Sequence, residues 1–251
     1  MKHLHFFGCS FTAGDELSDD VWFPWKHECT SSEEYYSRRN LHLGILLNIQ
    51  YQEDNKKKAY PARLQSDEYK TYNYSNNGES LRTCIFRALG LIFCNESIDA
   101  IFIQIPPPGR ELYIHDGGNV SSIQMSKLRH SLEPITTYLK AKLNSHTTEQ
   151  AVAEECMDMI MLANLAKQKN IPLYFLDIGK DIIVRMQDLT YHELNFLKTN
   201  LRKEINLISF LDIVKKAEQE GRILTGGHLD VKAHQEMADQ LKNLLLNILK
   251  Q

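Results

Sequence analysis

Two short segments at opposite ends of the chain carry residue types suited to nucleophilic chemistry. Near the start, His3 to Phe7 runs into Gly8-Cys9-Ser10-Phe11-Thr12-Ala13-Gly14, and near the end stands Thr225-Gly226-Gly227-His228-Leu229-Asp230. A serine hydroxyl is a weak nucleophile until a base takes its proton. A neutral imidazole, whose ordinary pKa lies near neutrality, suits that task. A small-residue turn also presents backbone N–H groups that can stabilise an oxyanion. The same turn could cradle a phosphate, yet neither G-x-G-x-x-G nor the phosphate-loop pattern G-x-x-x-x-G-K-S/T occurs there. The bland alternative for Ser10 is a helix N-cap, and Cys9 beside it is expected to pack inward. The glycines before His228 allow close approach to another loop, whereas His234, one turn into the next helix, is expected to be structural.

These residues need a frame to meet. Five β-branched or aromatic runs read as strands: His3 to Phe7, Lys70 to Tyr74, Ala100 to Ile105, Ile171 to Leu176 and Asn206 to Phe210. Between them apolar residues recur at helical spacing, as in Leu81, Ile85, Leu89 and Ile92, and again in Val152, Cys156, Met159, Ala163 and Ala166, with a Thr147-x-x-Gln150 capping box before the latter. A last helix carries Met237, Leu241, Leu244, Leu245 and Ile248 on one stripe, with Asp230 as its N-cap. Alternating strands and helices imply βαβ units. The expected architecture is a flavodoxin-like three-layer α/β/α fold, with a parallel sheet of about five strands in the order 2-1-3-4-5. One domain over residues 1–251 is expected, with two insertions, about 15–58 and 106–144. The first holds Trp22, Trp25, Tyr35, Tyr36 and the basic run Lys56 to Lys58. Such insertions serve as specificity loops or as packing decoration.

Composition narrows the function classes. The 251 residues carry 29 Lys+Arg against 32 Asp+Glu, a net charge of -3, without the positive excess that nucleic-acid binding needs. Five cysteines, an odd number with no CxxC pair, suggest neither a disulfide framework nor a zinc ribbon. His3 and His5 share a strand face and could ligate a metal, but a half-buried strand explains them better; no metal and no cofactor are expected. The start of the chain lacks a signal-peptide pattern and no stretch approaches a membrane span, so a cytoplasmic protein without membrane or nucleic-acid partners is expected.

The blocks together resemble the SGNH hydrolases, the GDSL-type esterases and lipases. Ser10 in Gly8-Cys9-Ser10-Phe11-Thr12 is similar to that family's nucleophile block, of a Gly-Cys-Ser-Phe-Thr subgroup. Asn73-Tyr74-Ser75-Asn76-Asn77-Gly78-Glu79-Ser80 resembles its second block, and His228 its histidine block. The resemblance implies Ser10 and His228 as catalytic residues, with the Ser10 and Gly78 N–H groups in an oxyanion hole. Two family positions differ. Thr225 stands where the acid of the triad belongs, and Gln104-Ile105-Pro106-Pro107-Pro108-Gly109-Arg110 replaces the Gly-x-Asn-Asp block. Losing one oxyanion donor costs about 2.7–4 kcal/mol, and losing the acid about 10⁴ in rate. Gln104 and Asn77 are candidates to supply the donor, Arg110 to bind substrate, and a backbone carbonyl or Asp177 to orient the histidine. The implied activity is hydrolysis of a small-molecule or glycan-borne acyl ester, acetyl among them, through a Ser-His dyad or displaced triad. The alternative is a catalytically impaired binding protein on the same fold. Nothing in the sequence fixes the oligomeric state.

Overall fold

The computed structural model describes residues 1–76, 79–94, 97–106, 110–114, 120–124, 148–178, 195–224 and 227–248. Five parallel strands form its centre: β1 (Lys2–Phe7), β2 (Tyr69–Asn73), β3 (Ala100–Gln104), β6 (Leu173–Asp177) and β7 (Asn206–Ser209). They lie in the order β2-β1-β3-β6-β7, which is 2-1-3-4-5 among the parallel strands, as the sequence implied. Register is continuous across the sheet, with Leu4 beside both Thr71 and Ala100, Phe102 beside Tyr174, and Leu176 beside Ile208.

Strand alternation builds a core on each face. Phe7, Ile101, Ile103 and Phe175 turn to one side, against α5 (Leu81–Phe93), α6 (Thr148–Gln168) and α7 (Asn195–Glu204). Leu4, Phe6, Phe102 and Leu176 turn to the other. There they meet Tyr60 of α4 (Tyr60–Arg63), Ala217 of α8 (Leu211–Gln219), and Ala233, Met237, Leu241 and Leu245 of α9 (Val231–Ile248). Asp230 caps α9 as expected, its Oδ1 accepting the Ala233 N–H at 2.8 Å. The expected Thr147 cap lies outside the described residues.

The first insertion is mostly one helix, α3 (Ser32–Lys58), reached through α1 (Ser10–Ala13), α2 (Asp19–Trp22) and a 3₁₀ turn. Ser31 accepts the Glu34 N–H while the Glu34 carboxylate accepts the Thr30 N–H, a reciprocal cap that starts the helix. Lys56 to Lys58 fill its last turn, where cations meet the negative end of the helix dipole. Pro61 then opens α4. Phe23, Tyr35, Leu43 and Tyr51 give this segment a buried aromatic cluster of its own, with Trp22, Trp25 and Tyr36 around it. In the second insertion the described residues form an antiparallel hairpin, β4 (Arg110–Ile114) with β5 (Val120–Gln124), lying against α5.

Candidate active site

The chain passes from β1 to β2 on one side and to β3 on the other, so the carboxyl end of β1 is the switch point of the sheet. Ser10 stands there, in the first turn after the strand. Gly8 is required by close approach: a Cβ on it would lie 2.4 Å from Thr12 Oγ1 and 2.9 Å from Gln104 Cβ. Gly14 ends the turn at φ +73°, where a Cβ would also meet Asn55 O at 2.9 Å.

A buried clamp fixes the turn. Gln104 Oε1, at the end of β3, accepts from the Cys9 N–H at 3.3 Å, from Cys9 Sγ at 3.4 Å and from Thr12 Oγ1 at 2.9 Å. Since Thr12 donates to Gln104, the Tyr60 hydroxyl 3.0 Å away donates to Thr12. Asn73 Nδ2 donates to Thr12 O at 2.9 Å, which ties the second block to the first. Ser10 itself takes no part in the clamp. Cys9, not Ser10, is the N-cap residue of α1, and the Ser10 hydroxyl has only Cys9 Sγ, 4.0 Å away, as a hydrogen-bonding neighbour among the described residues. Cys9 is fully buried.

His228 arrives on a tight loop. Gly227 takes φ +84°, its N–H donates to Leu224 O, and the Leu224 N–H donates to His228 O at 2.7 Å. Arg222 fastens the base of this loop, bonding Glu220, Asp230 and Glu236. The His228 ring then lies 5.2 Å from the ring of Phe11, the residue next to Ser10. No hydrogen bond joins Ser10 to His228 among the described residues. Apo sites often hold such pairs apart until substrate closes them.

The His228 ring also meets a residue that sequence reasoning missed. Glu16 Oε2 approaches His228 Nδ1 at 3.2 Å, without the alignment of a full hydrogen bond. The Glu16 side chain is fully buried, and Glu16 Oε1 accepts the Tyr36 hydroxyl at 2.8 Å. Burial first, then the Glu16 charge, pushes the Tyr36 phenol above its ordinary range, so Tyr36 remains a donor. Glu16 also has a positive φ, +69°, which costs a non-glycine residue about 1–2 kcal/mol.

Behind Glu16 lies a buried polar network. Arg39 Nη2 pairs with Asp15 Oδ1 at 2.8 Å, and the guanidinium sits 4.7 Å from the Tyr51 ring centre. Tyr51 donates to Asp19 Oδ1 at 2.6 Å, and Tyr35 donates to Asp19 Oδ2. Burial raises the Asp19 carboxyl above its usual range and the Glu16 charge adds to the rise, while the two tyrosine hydrogen bonds oppose it.

The remaining expected residues divide as follows. Gly78 and Asn77 lie outside the described residues, and so does Thr225. Arg110 opens β4, paired with Gln124 in the hairpin register, but its side chain lies outside what is described. Gln104 is fully buried and its Nε2 donates to Ile105 O at 3.0 Å. Asp177 ends β6, its carbonyl accepting the Phe210 N–H. His234 is buried, with Nδ1 accepting the Tyr60 N–H at 3.1 Å. Burial, with Arg63 and His228 nearby, pushes this imidazole down to about 3, so it is neutral. His3 faces the Tyr72 hydroxyl at 3.2 Å and His5 Nε2 the Ser97 carbonyl at 2.9 Å.

No family model matches the chain, and no curated protein matches it. Among the solved structures similar to it are GDSL-type lipolytic proteins and esterases. The psychrotrophic esterase EstA from Pseudoalteromonas sp., solved with a monoethylphosphonate inhibitor, is 12% identical over 100% of both chains at TM-score 0.48. A lipolytic G-D-S-L protein from Veillonella parvula is 12% identical over 98% of this chain and 99% of that one, at 0.46. The acetylxylan esterase Axe2 from Geobacillus stearothermophilus is 12% identical over 95% and 91%, at 0.43. At these values the fold assignment stands on the strand order, and the chemistry on the side chains.

Proposed function

We propose that this chain is an SGNH-type serine hydrolase that cleaves an acyl ester, with Ser10 as nucleophile and His228 as base. The observation that carries the reading is the arrival of His228, from the far end of the chain, against the Ser10 turn at the switch point of the sheet. Glu16 faces Nδ1 of the ring, which leaves Nε2 for the serine. Ser10 Oγ attacks the ester carbonyl while its proton passes to His228 Nε2. The tetrahedral intermediate collapses, and the alcohol leaves with that proton. Water then attacks the acyl-enzyme, giving its proton to the same nitrogen and releasing the acid and the free serine. The Ser10 and Gly78 N–H groups are assigned as oxyanion donors, with Asn77 as a further candidate donor, and Arg110 is assigned to substrate binding. Gln104 enters as the clamp of the nucleophile turn, because its amide nitrogen is already bonded to Ile105 O. The substrate class is a small-molecule or glycan-borne acyl ester.

Short p-nitrophenyl esters test this reading. Ser10→Ala and His228→Ala are each expected to lower kcat by about 10⁴–10⁶-fold, and a fluorophosphonate probe to label Ser10 stoichiometrically. Esterase activity unchanged in Ser10→Ala would remove the proposed nucleophile. That Ser10 and His228 share no hydrogen bond among the described residues supports a second reading, a binding protein with an idle site. For that reading, the folded protein leaves the probe unreacted.

A further inference from the structure

We infer that Glu16, held by Tyr36 of the insertion helix α3, is the residue that positions His228, in place of the carboxylate that the sequence lacks at Thr225; this rests on the Ser10–His228 reading above. Four observations converge on it. Glu16 Oε2 is 3.2 Å from His228 Nδ1. Its other oxygen is occupied by the Tyr36 hydroxyl at 2.8 Å, which fixes the carboxylate plane. The side chain is fully buried, so its charge is unscreened by solvent and its attraction for a protonated imidazole is strong. Finally, its backbone is held at φ +69° by Tyr51 and Asp15, which both receive its N–H, at 3.2 Å each. Strain held in place by surrounding hydrogen bonds is characteristic of residues whose orientation matters.

The polar groups behind Glu16 have partners of their own. Arg39, the guanidinium buried nearby, is matched by Asp15. Asp19 is satisfied by two tyrosine hydroxyls and, with its carboxyl raised by burial, holds a proton more readily. The Glu16 carboxylate stands opposite the histidine at 3.2 Å. The imidazolium that forms when Ser10 gives up its proton is stabilised there, and the proton on Nδ1 keeps Nε2 unprotonated in the resting state. The insertion helix is then part of the catalytic unit, since it supplies Tyr36, Arg39 and Tyr51.

Glu16→Gln is nearly isosteric and makes a sharp test. Its amide would donate to Nδ1, favouring the tautomer with the proton on Nε2, which cannot accept from Ser10. The expected result is a loss of about 10³–10⁴ in kcat with KM changed less than about threefold, partial recovery in Glu16→Asp, and a loss of about tenfold in Tyr36→Phe. ¹⁵N NMR of the imidazole reads the same assignment without any substrate: His228 in the unmodified protein carries its proton on Nδ1, and in Glu16→Gln the proton moves to Nε2. An unchanged tautomer together with an unchanged kcat overturns the role of Glu16. Full activity in Ser10→Ala overturns the hydrolase reading instead, and the tautomer shift still decides whether Glu16 orients His228. If Glu16→Gln does not fold, Tyr36→Phe carries the test, and its failure to alter kcat or the tautomer overturns the inference.

Discussion

Two histidines six residues apart show how position sets the chemistry of one side chain. His228 sits on a loop at the sheet edge between Phe11 and Glu16, while His234 is sealed under Tyr60 in the core. Because His234 is held neutral, with its imidazole at about 3 in the folded protein against 6.5 for a free one, the unfolded chain binds its proton first on acidification. The stability from that burial is present above pH 6.5 and is lost as pH falls from 6.5 toward 3, by up to about 4–5 kcal/mol. Urea unfolding across this range should show the decline. His234→Asn keeps an acceptor near the Tyr60 N–H without a titrating group, and its stability should vary much less with pH. Cys9 belongs at the same scale. It stands where many members of the family that this sequence resembles carry an acid, and here its N–H and thiol both serve the Gln104 clamp.

At the scale of elements, the turn after β1 works because Gly8, Thr12 and Gln104 fit one another. Gly8→Ala would press a methyl group against two buried side chains and should cost about 1–3 kcal/mol. It should also slow phosphonate labelling of Ser10, since the turn moves with Thr12. The long helix α3 has a corresponding point of dependence in the Asp15–Arg39 pair, both side chains only 7% exposed. Arg39→Met leaves a buried carboxylate unpaired and should destabilise by about 3–5 kcal/mol, whereas Asp15→Leu combined with Arg39→Met should recover most of the loss. Denaturant midpoints of the three proteins check this. Much of the element level was legible in advance. The five strands were found within a residue or two, because alternation and β-branched runs are local signals, and the stripe of α9 and the cap at Asp230 were read the same way. The helix α3 was not identified, since aromatic, charged and polar residues are interleaved along it and its buried face mixes Tyr35, Leu43 and Tyr51 with Arg39 and Asn55. The Ser31-x-x-Glu34 cap was the local signal that could have marked its start.

Across the whole molecule, the sheet separates two cores and gathers loops from four regions of the sequence at the carboxyl end of β1. Among the described residues all five cysteines are free thiols, no group of His, Cys, Asp and Glu is arranged to hold a metal ion, and no helix is long and apolar enough to cross a membrane. What orders the site is packing and a buried hydrogen-bond network drawn from both ends of the chain. The sequence by itself determined the parallel α/β architecture and the two blocks holding Ser10 and His228, because periodicity, turn glycines and short motifs are encoded between neighbours in the chain. Only the tertiary structure decided that Gln104 clamps the nucleophile turn, that His228 and Phe11 share a corner, and that a carboxylate reaches His228 from position 16. Each of these pairs residues that are remote in sequence, and their approach is set by sheet order, a left-handed backbone at Glu16 and the burial of α3, none of which leaves a local trace in the order of amino acids.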